Sequence, residues 1–414
     1  MQTQNRSRFR GIGIYGSSSG RNAGDAALIG GIMDGIDQAL GRRLLYEIPT
    51  YCPDYIRYQY ENRTRPMSML PWHASVGMFG VPTVTSFRRC DLNLIYDNML
   101  FDRKLWNPLF NYMPAVWALF CHLRRSGQLL GMYNVGCGPV GTPRGTSMLR
   151  EIAQACDFIT VRDQDSLQLL RQIGVTHERI LVTADAALTV RPAPPERVDR
   201  ILAEAAIDPS RETLAINVNS YIGSWSGTAK GSLDAESFVR TYAEALRAIV
   251  EELKVPLVFI ATQHSDIEIT QQVRRALGAG VTTHMISNRG YNHAEMKGVL
   301  GRMGFLFAMR LHANILATSM CTPAAALSFQ KKVSSYYHEL GLSQNVLSFD
   351  NFSAAALITQ IKDGWSRRHE IRTHLEQRIP QLQRKSLVTA EIVKLLDQGA
   401  SPDEAVAHGR TLLI

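Results

Sequence analysis

The stretch Phe307-Ala308-Met309-Arg310-Leu311-His312-Ala313 sets a cation and an imidazole where an apolar run passes into an apolar helix. Residues two apart point to the same side of an extended chain, so Arg310 and His312 converge on one face. A buried strand end has little use for either, whereas the carboxyl ends of parallel strands are where α/β proteins place their chemistry. Lys331 and Lys332 follow the next apolar run, Ala-Ala-Ala-Leu-Ser-Phe-Gln, and add two positive charges at a second strand end. Three guanidinium or ammonium groups with a titratable imidazole make a grouping suited to a compact polyanion and to proton transfer.

A second strand end of the same kind reads Phe158-Ile159-Thr160-Val161-Arg162-Asp163, with Asp165 and Ser166 opening a helix. Arg162 is expected to project from that end, and Asp163 either pairs with it or caps the helix. Near the N-terminus, residues 16–25 (GSSSGRNAGD) form a glycine-rich turn at the mouth of a helix. Free backbone N–H groups and the helix dipole there favour an anionic or polar ligand, which makes Asn22, Gly24 and Asp25 candidate binding residues, with Asp25 also a candidate N-cap. Residues 11–16 satisfy GxGxxG literally, but the first two glycines fall inside the strand itself. A dinucleotide fingerprint must follow its strand, so no nicotinamide or flavin cofactor is expected. His264-Ser265-Asp266 and His293-Ala294-Glu295 are candidate acceptor contacts at a cleft rim, with a helix-start cap or surface pair the preferred reading of each.

These residues need elements to hold them. Apolar runs of four to six residues alternate with longer amphipathic stretches, the signature of strand–helix units around parallel sheets. Strands are predicted over 11–15, 92–96, 129–135, 158–161 and 180–183, and again over 214–218, 257–262, 304–308 and 324–327. Helices are predicted over 26–40, 107–123, 147–155, 164–173, 235–253, 266–277, 293–300, 313–319 and 334–340. Three prolines in residues 191–196 (RPAPPE) mark a linker. The reading is therefore two Rossmann-like α/β domains facing a cleft, 1–190 and 197–350, followed by a helical tail over 351–414 that Pro380 interrupts. A cleft between domains is a preferred ligand site, and Arg162 and His312 are expected to share it.

Composition narrows the class further. At about 150 residues per domain, 414 residues predict two to three domains. The net charge of +8, from 45 Lys and Arg against 37 Asp and Glu, is scattered in pairs such as Arg42-Arg43 and Arg88-Arg89, so it singles out no nucleic-acid surface. Cys52, Cys90, Cys121, Cys137, Cys156 and Cys321 show no metal spacing and mostly have apolar neighbours, so buried free thiols, a reducing cytoplasmic home and no metal are expected. The opening MQTQNRSRFR lacks an apolar signal region, and no run of 18 apolar residues is present. Residues 108–123 are unusually apolar for an outer helix. A core helix or a homo-oligomer contact is the preferred reading, and rest on the inner face of a membrane the other.

Six segments, in order, resemble the polysaccharide pyruvyl transferase family. Arg21 to Leu28 (RNAGDAAL) resembles its GNxGDxA turn, Val135 to Pro139 (VGCGP) its GxGP loop, and Ile159 to Ser166 its VRDxxS segment. Val182 to Asp185 resembles its TxD strand end, Met309 to Ala313 its MRLHA junction, and Leu327 to Leu342 its SYxxKV…ELGL ending. The resemblance implies a GT-B-like fold without a nicotinamide cofactor and transfer of pyruvate from phosphoenolpyruvate to a sugar as a ketal. It places functional residues on Arg162, Arg310, His312 and Lys332. Arg162 and Arg310 are then expected to clamp the donor bidentately, Lys332 to face its phosphate, and His312 to move the proton.

Two segments depart from the family pattern. Many members carry a glycine triplet where this chain has Tyr96-Asp97-Asn98, and an arginine near the position of Asn219, so Asp97, Asn98 and Asn219 become candidate acceptor contacts. The acceptor is expected to be a glycan or lipid-linked sugar. A nucleotide-sugar glycosyltransferase or epimerase on the same scaffold is the competing activity, because fold does not fix chemistry.

Overall fold

The computed structural model describes residues 8–19, 21–50, 52–60, 63–68, 84–97, 99–107, 111–220 and 234–413. The chain divides into two compact units, one made of Met1–Gly20, Asp25–Val190 and Leu382–Ile414, the other of Arg21–Gly24 and Arg191–Gln381.

The first unit holds seven strands: β1 (Gly11–Tyr15), β2 (Leu45–Thr50), β3 (Thr64–Ser68), β4 (Leu92–Ile95), β5 (Leu129–Val135), β6 (Phe158–Val161) and β7 (Ile180–Val182). They form one parallel sheet in the order β3-β2-β1-β4-β5-β6-β7. The second unit holds β8 (Leu214–Asn217), β9 (Leu257–Ala261), β10 (Thr283–Ser287), β11 (Phe305–Ala308), β12 (Ala324–Ser328) and β13 (Val346–Ser348). Its order is β10-β9-β8-β11-β12-β13, again all parallel. Parallel neighbours need helical crossovers that cover both faces, and accordingly β8, β9, β11 and β12 are buried at every residue. In each sheet the strand order reverses once, between β1 and β4 and between β8 and β11, and ligands of such sheets bind at the carboxyl ends there.

Four strands escape a reading of the sequence. β3, β10 and β13 are edge strands, and β2 carries Pro49 beyond the register it shares with β1, which covers only Leu45 to Glu47. Pro66 likewise sits in edge strand β3, where the missing N–H costs least. The helix predicted over 26–40 starts earlier, at Ala23, because Asn22 Oδ1 accepts the Gly24 N–H at 2.9 Å. Asp25 is therefore not the cap; it lies in the first turn and accepts the Ser17 hydroxyl at 2.8 Å. The proline linker ends by starting a helix, with Pro195 in its first position.

The tail is not a third body. Residues up to Gln381 count with the second unit and those from Leu382 with the first. Pro380 does not break it either: Arg368–Asp397 is one helix of 30 residues, with Ile379 and Leu382 buried beside the proline. The apolar stretch near residue 110 becomes the helix Met113–Arg125. Its Met113, Val116, Leu119, Phe120 and Leu123 face the first unit's core, which accounts for its hydrophobicity without a lipid surface. No helix among the described residues is long and apolar enough to cross a membrane. All six cysteines are free, but only Cys90 and Cys156 are buried and the other four are half-buried, fewer than their apolar neighbours suggest. Burial pushes the Cys90 thiol up to about 12.

A polar knot ties the tail to the first unit's sheet. Asn134 lies at a register shift between β5 and β6 with a left-handed φ of 49°. Its Oδ1 accepts the hydroxyls of Thr183 at 2.7 Å and Thr389 at 2.6 Å, and its Nδ2 donates to the Ser386 carbonyl at 3.0 Å. All four residues are buried, so each bond lost strands a polar group. Asn134→Ala is expected to cost about 2–3 kcal/mol of unfolding free energy, read by urea denaturation; an unshifted midpoint would contradict this role.

Candidate functional site

Arg310 caps the helix Leu311–Thr318 at the end of β11, and its guanidinium is held fork to fork. Nε donates to Asp266 Oδ2 at 2.7 Å and Nη2 to Oδ1 at 2.6 Å. Asp266, the first residue of the helix Asp266–Leu277, is 0% exposed and also accepts the N–H and hydroxyl of Ser220 at 3.0 and 2.9 Å. The backbone of Arg310 is fixed too: its N–H donates to Asn217 Oδ1 at 3.1 Å, while Asn217 Nδ2 donates to the Ile260 carbonyl at 2.8 Å. Asn217 and Asp266 thus lock β8, β9 and β11 together at the sheet's switch point. Asn217 does not stand among the residues the sequence singles out, and Asp266 does so only within a candidate acceptor-contact segment. Asp266 reads there as part of a helix start, since nothing in the sequence pairs it with an arginine 44 positions on.

His312 sits two residues into the same helix and is half-buried. A short strap of chain lies against it. Asn22 bridges Gln263, Ala23 N–H donates to the Thr262 carbonyl at 2.8 Å, and the Arg21 carbonyl accepts from His264 N–H and from Asn288 Nδ2, both at 3.0 Å. That docking brings Gly24 onto the imidazole: a Cβ built on Gly24 would lie 2.4 Å from His312 Cγ and Nδ1. Only glycine allows the approach. Two motifs almost three hundred residues apart, RNAGD and MRLHA, are therefore halves of one contact. Within this unit Asn22 acts as helix cap and strap, and His264 as a strap anchor whose Nε2 lies 3.4 Å from the Asn288 carbonyl. Burial, with help from Arg289 and Arg21, holds the His264 pKa below its usual value. Asn219 is buried just beyond β8.

Lys331 and Lys332 open the helix Lys331–Leu340, which has no acidic residue in its first turn. Arg310 and His312 do the same one strand away, and that helix too begins without an acid. Cations at a helix N-terminus oppose the macrodipole at about 0.3–1 kcal/mol each. Two neighbouring junctions, on strands about 4.8 Å apart, thus bring Arg310, His312, Lys331 and Lys332 to adjacent strand ends of one sheet, with the Arg310 charge met by Asp266.

The first unit places its own candidates at the carboxyl ends of its strands. Arg162, at the end of β6, is only 6% exposed; Nε donates to Asp163 at 3.3 Å and Nη1 to Asp185 at 3.2 Å. Burial alone would depress its pKa, but the carboxylates of Asp185, Asp163 and Asp97 outweigh that and raise it. The sequence makes Arg162 a bidentate clamp for a ligand; the structure commits two of its nitrogens to carboxylates of its own chain. Gly136 makes room for it, since a Cβ there would lie 2.7 Å from Nη2. Asp163 both pairs with Arg162 and caps the helix Gln164–Gln172, so the two readings of it hold together. Asp97 takes a left-handed φ of 74°, which explains why glycines suit this strand end and how an aspartate can replace them. Asn98 lies outside the described residues. The literal GxGxxG proves to be packing: a Cβ on Gly16 would lie 2.2 Å from the Tyr96 ring.

The polysaccharide pyruvyl transferase family model matches residues 22–330, about three-quarters of the chain. No curated protein sequence matches. Among solved structures, a UDP-GlcNAc 2-epimerase from Methanocaldococcus jannaschii superposes with a TM-score of 0.60 at 10% identity, over 86% of this chain and 93% of that one. Anabaena Alr3699/HepE, solved with UDP and glucose, gives 0.58 at 12% identity over 94% and 99%. ADP-heptose lipopolysaccharide heptosyltransferase II from E. coli gives 0.51 at 10% over 87% and 99%. At such identities the likeness is one of fold, two parallel-sheet α/β domains of the GT-B type.

Removing Arg162 leaves Asp185 buried without its counter-charge. Arg162→Ala is expected to cost about 3–5 kcal/mol of stability, measured by denaturant unfolding. A variant as stable as the wild type would show that the ion pair does not hold this strand end.

Proposed function

Because this chain belongs to the polysaccharide pyruvyl transferase family, we propose that it takes pyruvate from phosphoenolpyruvate and sets it on two hydroxyls of a sugar as a ketal, releasing inorganic phosphate. The observation that carries the donor half of this reading is the pair of adjacent strand-to-helix junctions in the second unit. Both start a helix with basic residues and no acid in the first turn, so helix N–H groups and fixed donors are offered together, as a carboxylate and a phosphate ester require. No cofactor enters the reaction as proposed.

The bookkeeping of the reaction assigns the roles. A sugar hydroxyl adds to C2 of phosphoenolpyruvate, giving up its own proton to solvent, while C3 takes a proton and becomes a methyl group. Phosphate then leaves C2 with the electrons of its C–O bond, and a second hydroxyl closes the ring as its proton departs. His312 delivers the proton to C3, a general-acid role that imidazole side chains commonly fill. Arg310, its plane set by Asp266, faces the donor carboxylate, and Lys332 the phosphate. In the first unit, Arg162 and Asp97 belong to the acceptor side, where Arg162 fixes the strand ends through Asp163 and Asp185. Asp25, bonded to Ser17, stands at the end of β1 in the same unit and is assigned with them. The acceptor is a glycan or its lipid-linked precursor, and the reaction is cytoplasmic.

Phosphoenolpyruvate is expected to raise the melting temperature and UDP-sugars to leave it unchanged; the reverse pattern would favour the epimerase or glycosyltransferase reading. With phosphoenolpyruvate and a panel of lipid-linked or nitrophenyl sugars, the matched acceptor should gain a pyruvyl mass increment as phosphate is released. His312→Ala should keep the fold and lose about 10²- to 10⁴-fold in kcat. Gly24→Ala, which pushes the imidazole aside, should lose about 10²-fold; normal turnover in either variant would remove His312 from its role.

A further inference from the structure

We propose that Asp266 is a positioning residue for the donor: its buried carboxylate sets the plane and reach of the Arg310 guanidinium, and donor affinity depends on that pair. The inference rests on the phosphoenolpyruvate reading above and adds to it a residue outside the motif set. Asp266 meets the Nε and Nη2 edge of Arg310 with both oxygens, at 2.7 and 2.6 Å, and its side chain is fully buried. A guanidinium is planar, so two bonds along one edge fix its rotation as well as its place.

Asp266 is itself held from three directions. Ser220 donates its N–H and hydroxyl to Oδ1, the backbone of Asp266 begins a helix, and Thr270 donates its hydroxyl to the Asp266 carbonyl at 2.6 Å. The Arg310 backbone is fixed separately through Asn217. A side chain locked at both ends in this way is what transition-state and ground-state positioning of a small anion require. Asp266 also lowers the net charge that the second unit presents, so a purely electrostatic view predicts tighter anion binding once it is removed. Positioning predicts the opposite sign, and the two are separable by experiment.

The test is a double-mutant cycle on the full-length protein, read as KM and kcat for phosphoenolpyruvate together with its calorimetric affinity. Asp266→Asn keeps the shape, loses the charge and puts an N–H against the guanidinium. It should weaken donor affinity and raise KM at least tenfold while kcat falls less. Arg310→Lys, which has no fork, should do the same. In the Arg310→Lys background Asp266→Asn should add less than twofold, since the partner through which it acts is gone. Ser220→Ala, a milder loosening of the same carboxylate, should raise KM two- to fivefold, and only when Arg310 is present. Unchanged or tighter donor binding in Asp266→Asn overturns the proposal. So does an effect that is fully additive with Arg310→Lys, or, should Asp266→Asn fail to fold, a Ser220→Ala variant with wild-type KM. A wild-type protein that binds no phosphoenolpyruvate at all would instead remove the donor reading, and this inference with it.

Discussion

An arginine held flat by a buried aspartate is the interaction around which the second unit is arranged. Arg310 and Asp266 come from strand ends two positions apart in the sheet, and Asn217 on the intervening strand binds the Arg310 backbone. Parallel sheets bring carboxyl ends to one edge by construction, but they leave side-chain orientation open. The ion pair supplies orientation. With Arg310 fixed, the following turn puts His312 in one place, and Gly24 lets the imidazole stay there.

The first unit follows a similar rule with different partners. Arg162 is framed by Asp163 and Asp185, and a glycine, Gly136, gives it room. Behind that frame the Asn134 knot fastens the C-terminal helix, whose Ser386 hydroxyl donates to the Asp185 carbonyl at 3.1 Å. The tail is therefore part of the architecture that holds Arg162. Buried polar groups are stabilising only when every partner is present, so such a frame is rigid but intolerant of substitution.

Much of this was legible in the chain itself, for definable reasons. β1, β5 and β6 fall where the apolar runs place them because central strands of a parallel sheet are buried on both faces and read as unbroken hydrophobic segments. Edge strands β3, β10 and β13 carry polar residues and proline, so their pattern vanishes into the loops around them. Arg310, His312, Lys332 and Arg162 stood out because charge at a strand end is conspicuous. Their pairings did not: Asp266 lies in a segment read chiefly as a helix start and Asp185 in a strand-end motif, and only the fold sets each against its arginine. Gly16 and Gly24, from the glycine-rich turn, and Gly136, from the GxGP segment, each lie against a side chain, Tyr96, His312 or Arg162.

The second unit gathers Arg310, His312, Lys331 and Lys332 at the ends of β11 and β12, and the first sets Asp163 and Asp185 about Arg162 at its own strand ends. The most direct check is to run the reaction in heavy water with phosphoenolpyruvate and a matched sugar. Proton delivery to the donor methylene predicts inorganic phosphate and a ketal whose methyl group carries a single deuterium. A pyruvylated product with no solvent deuterium, or turnover of a nucleotide sugar in place of phosphoenolpyruvate, would contradict the account.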